Sequence, residues 1–135
     1  MTKDSMTNII SAIKFDSQGL VPAIAQDSER GDVVMMAWMN EASIRETINS
    51  GRVCYWSRSR QSLWKKGETS GQHQELVDFL IDCDGDTVLL FVKQHGVACH
   101  TGRRSCFYRS VQPDGRLKEI MDIEKDPTEL YSSNK

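Results

Sequence analysis

Two apolar stretches joined by a short acidic segment constrain the fold of this chain more than any other feature of its sequence. Glu75–Ile81 and Thr87–Gln94 are rich in Val, Leu, Ile and Phe, a composition typical of β-strands. Asp82–Asp86 lies between them and has Asp84-Gly85 at its centre, a dipeptide typical of hairpin turns. The sequence therefore predicts a β-hairpin whose turn carries three aspartates and Cys83.

The rest of the chain predicts further strands and one or two short helices. Asn40 is a good N-cap, Ser43–Asn49 has the polar and apolar mix of a short helix, and Gly51 would end that helix. Ser57–Gly71 is a long polar loop, with a helical turn predicted near Gln61–Lys65. Other strands are predicted at Ile13–Phe15, Val21–Ala25, Val33–Met39, Arg52–Ser57 and Cys106–Val111. These elements indicate an α+β fold that is mostly β.

Length and charge exclude several classes of protein. A chain of 135 residues is typical of one domain, which we expect over residues 1–110 with its core at about 13–110. Residues 111–135 are predicted to be a peripheral C-terminal segment and not a second domain.

A net charge of −2 gives no basic field that would attract nucleic acid or an anionic membrane. No apolar run approaches the roughly 20 residues of a membrane span, and Met1–Ser11 lacks the apolar stretch of a signal peptide. We expect a cytoplasmic protein with reduced thiols.

Three of the four cysteines lie close together in the sequence: Cys83, Cys99 and Cys106. None forms a Cys-x-x-Cys pair, which excludes the common zinc ribbons and fingers. Three thiolates brought together by folding would hold zinc and leave the fourth position for water, as in catalytic zinc sites. Two alternatives stay open. The cysteines could be compact buried apolar residues, or Cys54 could join them in a closed structural site.

The three aspartates Asp82, Asp84 and Asp86 alternate with Cys83 and Gly85. Carboxylates this close repel one another unless a cation neutralises them, and their hard oxygens suit Mg²⁺, Ca²⁺ or Mn²⁺. A solvated acidic turn is the alternative. If the segment were extended and not a tight turn, the aspartates would face one way and Cys83 the other. A single active site could then use both sets only with another strand or a second subunit.

The histidines differ in their sequence context. His100 follows Cys99 directly and could act as a general acid or base, as a fourth ligand, or as a group supporting a ligand. His73 and His95 have less informative neighbours, and we interpret both as structural.

The polar loop after Trp56 could bind an anion. Arginine forks at Arg58 and Arg60, together with hydroxyls and glycine N–H groups, suit phosphate oxygens. Trp56 and Trp64 flank the arginines and could stack on a base or a ribose. The spacing matches neither a P-loop nor a dinucleotide-binding fingerprint. A solvated charged loop and a module for single-stranded nucleic acid are the alternatives, although the overall acidity disfavours the second.

Four segments occur in order along the chain, and they are Tyr55–Arg60, Leu63–Gly71, Asp82–Thr87 and Gln94–Phe107. Together they resemble the phosphoribosyl-AMP cyclohydrolases of histidine biosynthesis. Upstream, Gly19–Asp27 and Met36–Asn40 are similar to the opening strands of that family. The resemblance extends over roughly Ile13 to Arg109. Gln72 departs from it, because that family has His or Asn after the Ser-Gly pair.

The resemblance implies a reaction and the residues that perform it. The reaction is hydrolysis of the N1–C6 bond of the adenine ring in phosphoribosyl-AMP, by an intertwined homodimer that shares its metal site between subunits. Zn²⁺ would activate the attacking water, Mg²⁺ would help to neutralise a phosphate, and His100 would transfer protons. The implied zinc ligands are Cys83, Cys99 and Cys106, and the implied magnesium ligands are Asp82, Asp84 and Asp86. The predicted substrate contacts are Trp56, Ser57, Arg58, Arg60, Lys66, Glu68, Thr69 and Ser70. A non-catalytic zinc protein that binds nucleotides or single-stranded nucleic acid is the alternative function.

Overall fold

The fold is known from a computed structural model, which describes residues 3–132. In chain order the described part contains α1 (Lys3–Ser11), β1 (Val21–Asp27), β2 (Val33–Met39), α2 (Glu41–Ser50), β3 (Cys54–Ser57), β4 (Ser62–Lys65), β5 (Gln74–Ile81), β6 (Val88–Gln94), β7 (Arg109–Val111), β8 (Leu117–Glu119) and α3 (Pro127–Ser132). The predicted α+β class is confirmed, with three short helices in this part. Among the described residues, no helix is long and apolar enough to cross a membrane.

Six strands form one sheet in the order β4-β3-β2-β1-β6-β5. β1 and β6 pair in parallel at its centre, and the other neighbours pair antiparallel. The pairing of β5 with β6 confirms the hairpin predicted around the aspartate turn. β7 and β8 form a separate two-stranded sheet.

The core lies against one face of the two central strands. Alternate side chains of β1 and β6 are fully buried, because successive residues of a strand point to opposite faces. Ile44 of α2 and Tyr55 of β3 join them in one apolar cluster. Fully burying an aliphatic side chain of this kind contributes about 1.5–3 kcal/mol. The core members from the two strands are Val21, Ala23, Ala25, Val88, Leu90 and Val92.

Helix α2 has the ends that its sequence predicts. The Asn40 side chain accepts a hydrogen bond from the Ser43 backbone N–H, and the Ser43 hydroxyl accepts one from the Asn40 backbone N–H, both at 2.9 Å. This reciprocal pair is a capping box. Gly51 ends the helix in a left-handed conformation with φ of 75°, which a residue without a Cβ adopts freely.

Three predicted elements are wrong in whole or in part. Ile13–Phe15 is irregular, because the Lys14 backbone N–H bonds to the Gly85 carbonyl at 2.7 Å instead of joining a strand. Gln61–Lys65 is not a helical turn; strand β4 begins directly after Gln61, which takes a left-handed φ of 51° at the hairpin. Of Cys106–Val111, only the last three residues are extended in β7.

α1, β8 and α3 are not among the elements predicted from the sequence. α1 and α3 have few apolar residues, and β8 is exposed along its whole length, so none of the three has a strong periodic pattern. β8 is paired only with the short strand β7, and this pairing cannot be inferred from local composition.

A buried carboxylate connects the sheet to a loop that follows it. Asp27, 4% exposed at the end of β1, accepts hydrogen bonds from the backbone N–H groups of Arg30 (2.7 Å) and Gln94 (3.1 Å). The Arg104 guanidinium lies 3.3 Å from the same carboxylate. Burial alone would raise the pKa of Asp27, but these hydrogen bonds and the charge of Arg104 outweigh it and lower the pKa below its ordinary value.

We expect Asp27→Asn to destabilise the folded chain by about 2 kcal/mol at neutral pH, because it removes charged hydrogen bonds from a buried site. Urea unfolding at fixed protein concentration measures the loss. Asp114→Asn, at an exposed carboxylate paired with Arg116, is the control and should cost less than about 0.5 kcal/mol.

The stability difference between wild type and Asp27→Asn depends on pH, and the pKa of Asp27 gives the sign of that dependence. The pKa of Asp27 is lower in the folded than in the unfolded chain, so its stabilisation is fully present above about pH 3.9, the ordinary aspartate value. It is lost as the pH falls through the folded-state pKa. The difference between wild type and Asp27→Asn should therefore shrink on acidification, and a difference that does not change with pH would contradict the electrostatic explanation.

Candidate functional site

The aspartates between β5 and β6 converge on one point. Asp82–Asp86 is a turn and not an extended segment, with the Gly85 N–H bonded to the Asp82 carbonyl at 3.1 Å. Carboxylate oxygens of Asp82, Asp84 and Asp86, one from each, lie within 4.8 Å of one another, and all three residues are exposed. Hydrogen bonding to Asp84 and Asp82 raises the pKa of Asp86 above its ordinary value. A donor set of crowded hard oxygens fits Mg²⁺.

The end of α1 packs against this turn. A Cβ on Gly85 would lie 2.6 Å from the backbone oxygen of Ala12, closer than any real contact. Gly85 also has a φ of 79°, a conformation that side chains disfavour. The position therefore requires glycine for two independent reasons, and its neighbours Asp84 and Asp86 are held in place by the tight turn.

Two of the predicted zinc ligands lie side by side. Burial and the neighbouring Cys99 thiol raise the pKa of the Cys106 thiol to about 12. A coordinated metal ion deprotonates such a thiol outright. The Thr101 hydroxyl donates to the Cys99 sulfur at 3.0 Å. The pair thus presents two soft donors that fit zinc, with a hydroxyl supporting one of them.

The other two cysteines lie elsewhere. Cys83 is exposed in the aspartate turn. Among residues 3–132, it belongs to no cluster of three or more side chains that could hold a metal ion. Cys54 is buried in β3, where its backbone N–H bonds to the Thr47 hydroxyl at 2.9 Å. A single chain, over its described residues, therefore assembles neither a three-thiolate nor a four-thiolate site.

The loop that carries the thiol pair is fastened by backbone bonds to the C-terminal segment. The Gly102 carbonyl accepts from the N–H groups of Glu124 (2.8 Å) and Lys125 (3.1 Å). The Arg103 side chain donates to the Met121 carbonyl at 3.1 Å. A Cβ on Gly102 would lie 1.8 Å from the Lys125 oxygen, so the two segments meet without room for any side chain. This role of residues after position 110 was not predicted from the sequence.

Lys66 connects the thiols to the polar loop. This lysine is only 7% exposed, and its Nζ donates to the Ala98 carbonyl at 2.9 Å. Burial lowers its pKa, while the neighbouring Cys106 and Cys99 act in the opposite direction. Lys66 therefore places its amino group beside two thiols.

Two clefts contain the eight predicted substrate contacts, and Trp64 lines both. The first has a volume of about 330 Å³ and the second about 410 Å³. Arg58 in the second cleft lies 4.6 Å above the ring of Trp38, which fixes the guanidinium at the cleft wall. The first cleft includes Arg60, Lys66, Glu68, Thr69 and Ser70, and the second includes Trp56, Ser57 and Arg58. Trp38 was not among the predicted contacts, because its apolar neighbours in β2 indicate a core strand.

His100 is exposed and follows the buried Cys99 directly in the loop. Its side chain can therefore reach solvent or a bound molecule, which fits a group that moves protons. Proton transfer and metal ligation by His100 both remain predictions.

Gln72 has a structural task next to these elements. It is 9% exposed, and its Oε1 accepts the Val97 backbone N–H at 2.9 Å while its Nε2 donates to the Ser70 carbonyl at 3.1 Å. A Cβ on Gly96 would lie 1.6 Å from that Oε1, so the backbone at Gly96 passes close to the side-chain amide of Gln72. Gln72 therefore joins the wall of the first cleft to the segment that leads to Cys99.

A sequence model of the family described as Phosphoribosyl-AMP cyclohydrolase matches residues 35–108, the stretch that contains both clefts, the aspartate turn and the thiol pair. The chain belongs to the phosphoribosyl-AMP cyclohydrolase family. It is 62% identical to the phosphoribosyl-AMP cyclohydrolase of Paramagnetospirillum magneticum, over 91% of this chain and 92% of that protein. It is 56% identical to the enzyme of the same name from Rhodospirillum centenum, over 97% and 98% of the two chains.

We expect Gln72→Ala to loosen the segment before Cys99, because the buried Val97 N–H loses its acceptor at a cost of about 1–3 kcal/mol. Amide hydrogen exchange of Val97, followed by NMR, should become about tenfold faster or more, since 1.4 kcal/mol corresponds to a factor of ten. Gln112→Ala, in the turn between β7 and β8, is the matched control. Unchanged exchange at Val97 would show that Gln72 does not fasten this segment.

Proposed function

We propose that this chain hydrolyses the N1–C6 bond of the adenine ring in 1-(5-phosphoribosyl)-AMP, a step of histidine biosynthesis, with Zn²⁺ and Mg²⁺ as cofactors. Its similarity to proteins named phosphoribosyl-AMP cyclohydrolase supports this reaction. The observation that supports it most directly is the position of Lys66, which lines the first cleft and also lies beside Cys99 and Cys106. A substrate anchored in that cleft would extend towards the thiol pair.

The clefts suit a substrate that carries two phosphates and a base. Arg58 and Arg60 offer planar guanidinium groups, which pair with phosphate oxygens in a bidentate manner. Thr69 and Ser70 add hydroxyl donors in the first cleft. Trp64, on the wall shared by the two clefts, offers a ring face on which a base can stack.

The thiol pair and the aspartate turn fit the two metal ions by their donor chemistry. Cys99 and Cys106 supply sulfur, which zinc prefers, and the aspartate turn supplies oxygen, which magnesium prefers. Zinc, when bound, would supply Lewis-acid activation of water near neutral pH. The carboxylates of Asp82, Asp84 and Asp86 would hold Mg²⁺ and place its charge where it can neutralise a phosphate.

Hydrolysis needs a proton to leave the attacking water and a proton to reach the departing ring nitrogen. His100 is exposed and directly follows Cys99, and imidazole is a common general acid or base in enzymes. We assign this proton transfer to His100. The buried Lys66 ammonium next to the thiols would favour negative charge at the same place.

The separation of Cys83 from Cys99 and Cys106 supports a homodimer with a shared zinc site. Within one chain the described residues bring together two thiols and leave the third exposed in the aspartate turn. A second copy that contributes its Cys83 would complete the set of three. Apolar side chains exposed on several strands, such as Val77 (60%) and Leu63 (45%), are available for burial between subunits.

The direct test is ring opening by purified protein supplied with phosphoribosyl-AMP, Zn²⁺ and Mg²⁺, followed by absorbance. Cys106→Ala should lower the rate by about 100-fold or more, beyond the 10–100-fold that loss of a supporting group costs. Cys54→Ala removes a buried thiol outside the site and should retain most of the activity. No absorbance change with metal-replete wild type would refute the proposed reaction.

Subunit complementation tests the shared zinc site. Cys83→Ala and Cys106→Ala should each be inactive alone, whereas mixed dimers contain one site with all three cysteines intact. Unfolding the two variants together and refolding them should therefore restore about a quarter of wild-type activity by random pairing. If each site were built within one subunit, the mixture would stay inactive.

A further inference from the structure

Two histidines and a glutamate lie together at the end of the sheet where β5 begins and β6 ends. His73 precedes β5, Glu75 lies within it and His95 directly follows β6. The His95 backbone N–H bonds to the His73 carbonyl at 2.9 Å, which holds the two residues next to each other. Their rings stack with centroids 4.1 Å apart and an interplanar angle of 20°.

Potential ligand atoms of these three residues converge. One atom from each of His73, Glu75 and His95 lies within 4.8 Å of the others, and all three residues are half-buried. The Nε2 atom of His95 is shielded from solvent and makes no hydrogen bond of ordinary geometry within the described residues. The Oε2 atom of Glu75 lies 3.4 Å from it. A shielded imidazole nitrogen facing a carboxylate is not explained by the structural role that the sequence suggests.

The surrounding charges limit what this cluster can bind. Arg52 is a positive charge near His73, and Lys93 is one near Glu75. The single carboxylate of Glu75 offsets part of this charge, so a hard cation that depends on several carboxylates would gain little here. Imidazole nitrogens, by contrast, suit zinc, copper and nickel, and two imidazoles with one carboxylate form a common zinc ligand set.

We propose that His73, Glu75 and His95 form a binding site for a divalent transition metal ion, represented by Zn²⁺, separate from the thiol pair and the aspartate turn. The two stacked rings lie in nearly parallel planes, so nitrogen lone pairs within those planes do not meet at one ion. Binding therefore requires one imidazole to turn about its χ2 angle until both nitrogens face the ion at about 2.0–2.1 Å.

An ion bound at this site would hold the start of β5 and the end of β6 together. His73 directly follows Gln72, whose side chain accepts the Val97 N–H, and Val97 precedes the buried Cys99 by two residues. An ion held by His73 and His95 would therefore stiffen the base of the loop that carries the thiol pair. This inference uses no residue of the proposed reaction and does not depend on it.

The test counts bound Zn²⁺ in the full chain, prepared without a polyhistidine tag, stripped with a chelator and dialysed to equilibrium with zinc. The double substitution His73→Asn and His95→Asn should lose one bound ion per chain relative to wild type. The same loss should occur when both proteins also carry Cys106→Ala. An equal zinc count with and without the two histidines, in either background, would overturn the proposal.

Two further measurements cover the case in which the double variant misfolds. Glu75→Gln, a substitution of nearly equal size, should weaken zinc binding at this site at least about tenfold. With Co²⁺ in place of zinc, the thiolate charge-transfer absorption of the cysteine site should be the same in wild type and Glu75→Gln, while the absorption from cobalt bound by nitrogen and oxygen decreases. Zinc affinity and cobalt spectra that do not change with Glu75→Gln would exclude the site.

Discussion

The rest of the structure depends on the contacts that the buried Asp27 side chain makes. It ends the central strand β1, accepts the Gln94 N–H of the neighbouring strand β6, and pairs with Arg104 in the loop between the two site cysteines. From Gln94 a chain of buried amides continues through Gln74 to the Tyr55 hydroxyl, with contacts of 2.8 and 2.7 Å. Buried polar groups are costly unless every partner is in place, so this network admits one arrangement of sheet and loop.

This network explains how a small domain can hold a long irregular loop in a defined position. The loop that carries Cys99 and Cys106 has little regular structure, and backbone outside strands and helices needs other partners for its polar groups. The Arg104 side chain of this loop pairs with Asp27. Gln72 supplies an acceptor for the Val97 N–H, and Lys66 supplies a donor for the Ala98 carbonyl. Each fastening comes from a different part of the chain. The geometry of the thiol pair is therefore a property of the whole fold.

The sequence predicted the elements whose signals are local. The hairpin around Asp82–Asp86 follows from two apolar runs and a turn dipeptide, and α2 follows from its capping residues Asn40 and Gly51. The family and its motif residues could also be recognised, because long motifs in a fixed order are specific. Helix α1 and strand β8 lack such local signals, and the sequence analysis missed both.

The arrangement of the site required tertiary information. A basic residue in a polar loop predicts an exposed cation, yet Lys66 is buried because the Ala98 carbonyl and the two thiols surround its ammonium group. The convergence of His73 with His95 depends on strand register, which residue types do not reveal. The two clefts likewise depend on the pairing of β3 with β4, which places Trp64 on the wall that both clefts share.

The contact between Gly102 and the C-terminal segment determines which sequence changes this chain can absorb. The segment is joined to the Gly102 carbonyl by the backbone N–H groups of Glu124 and Lys125, and backbone groups are the same for nearly every amino acid. Substitutions there are consequently tolerated more readily than changes of length, since one inserted or deleted residue would move both N–H groups out of register. Residues 121–125 lie beyond the stretch that matches the family, so natural variation in this part of the chain should conserve spacing and not identity.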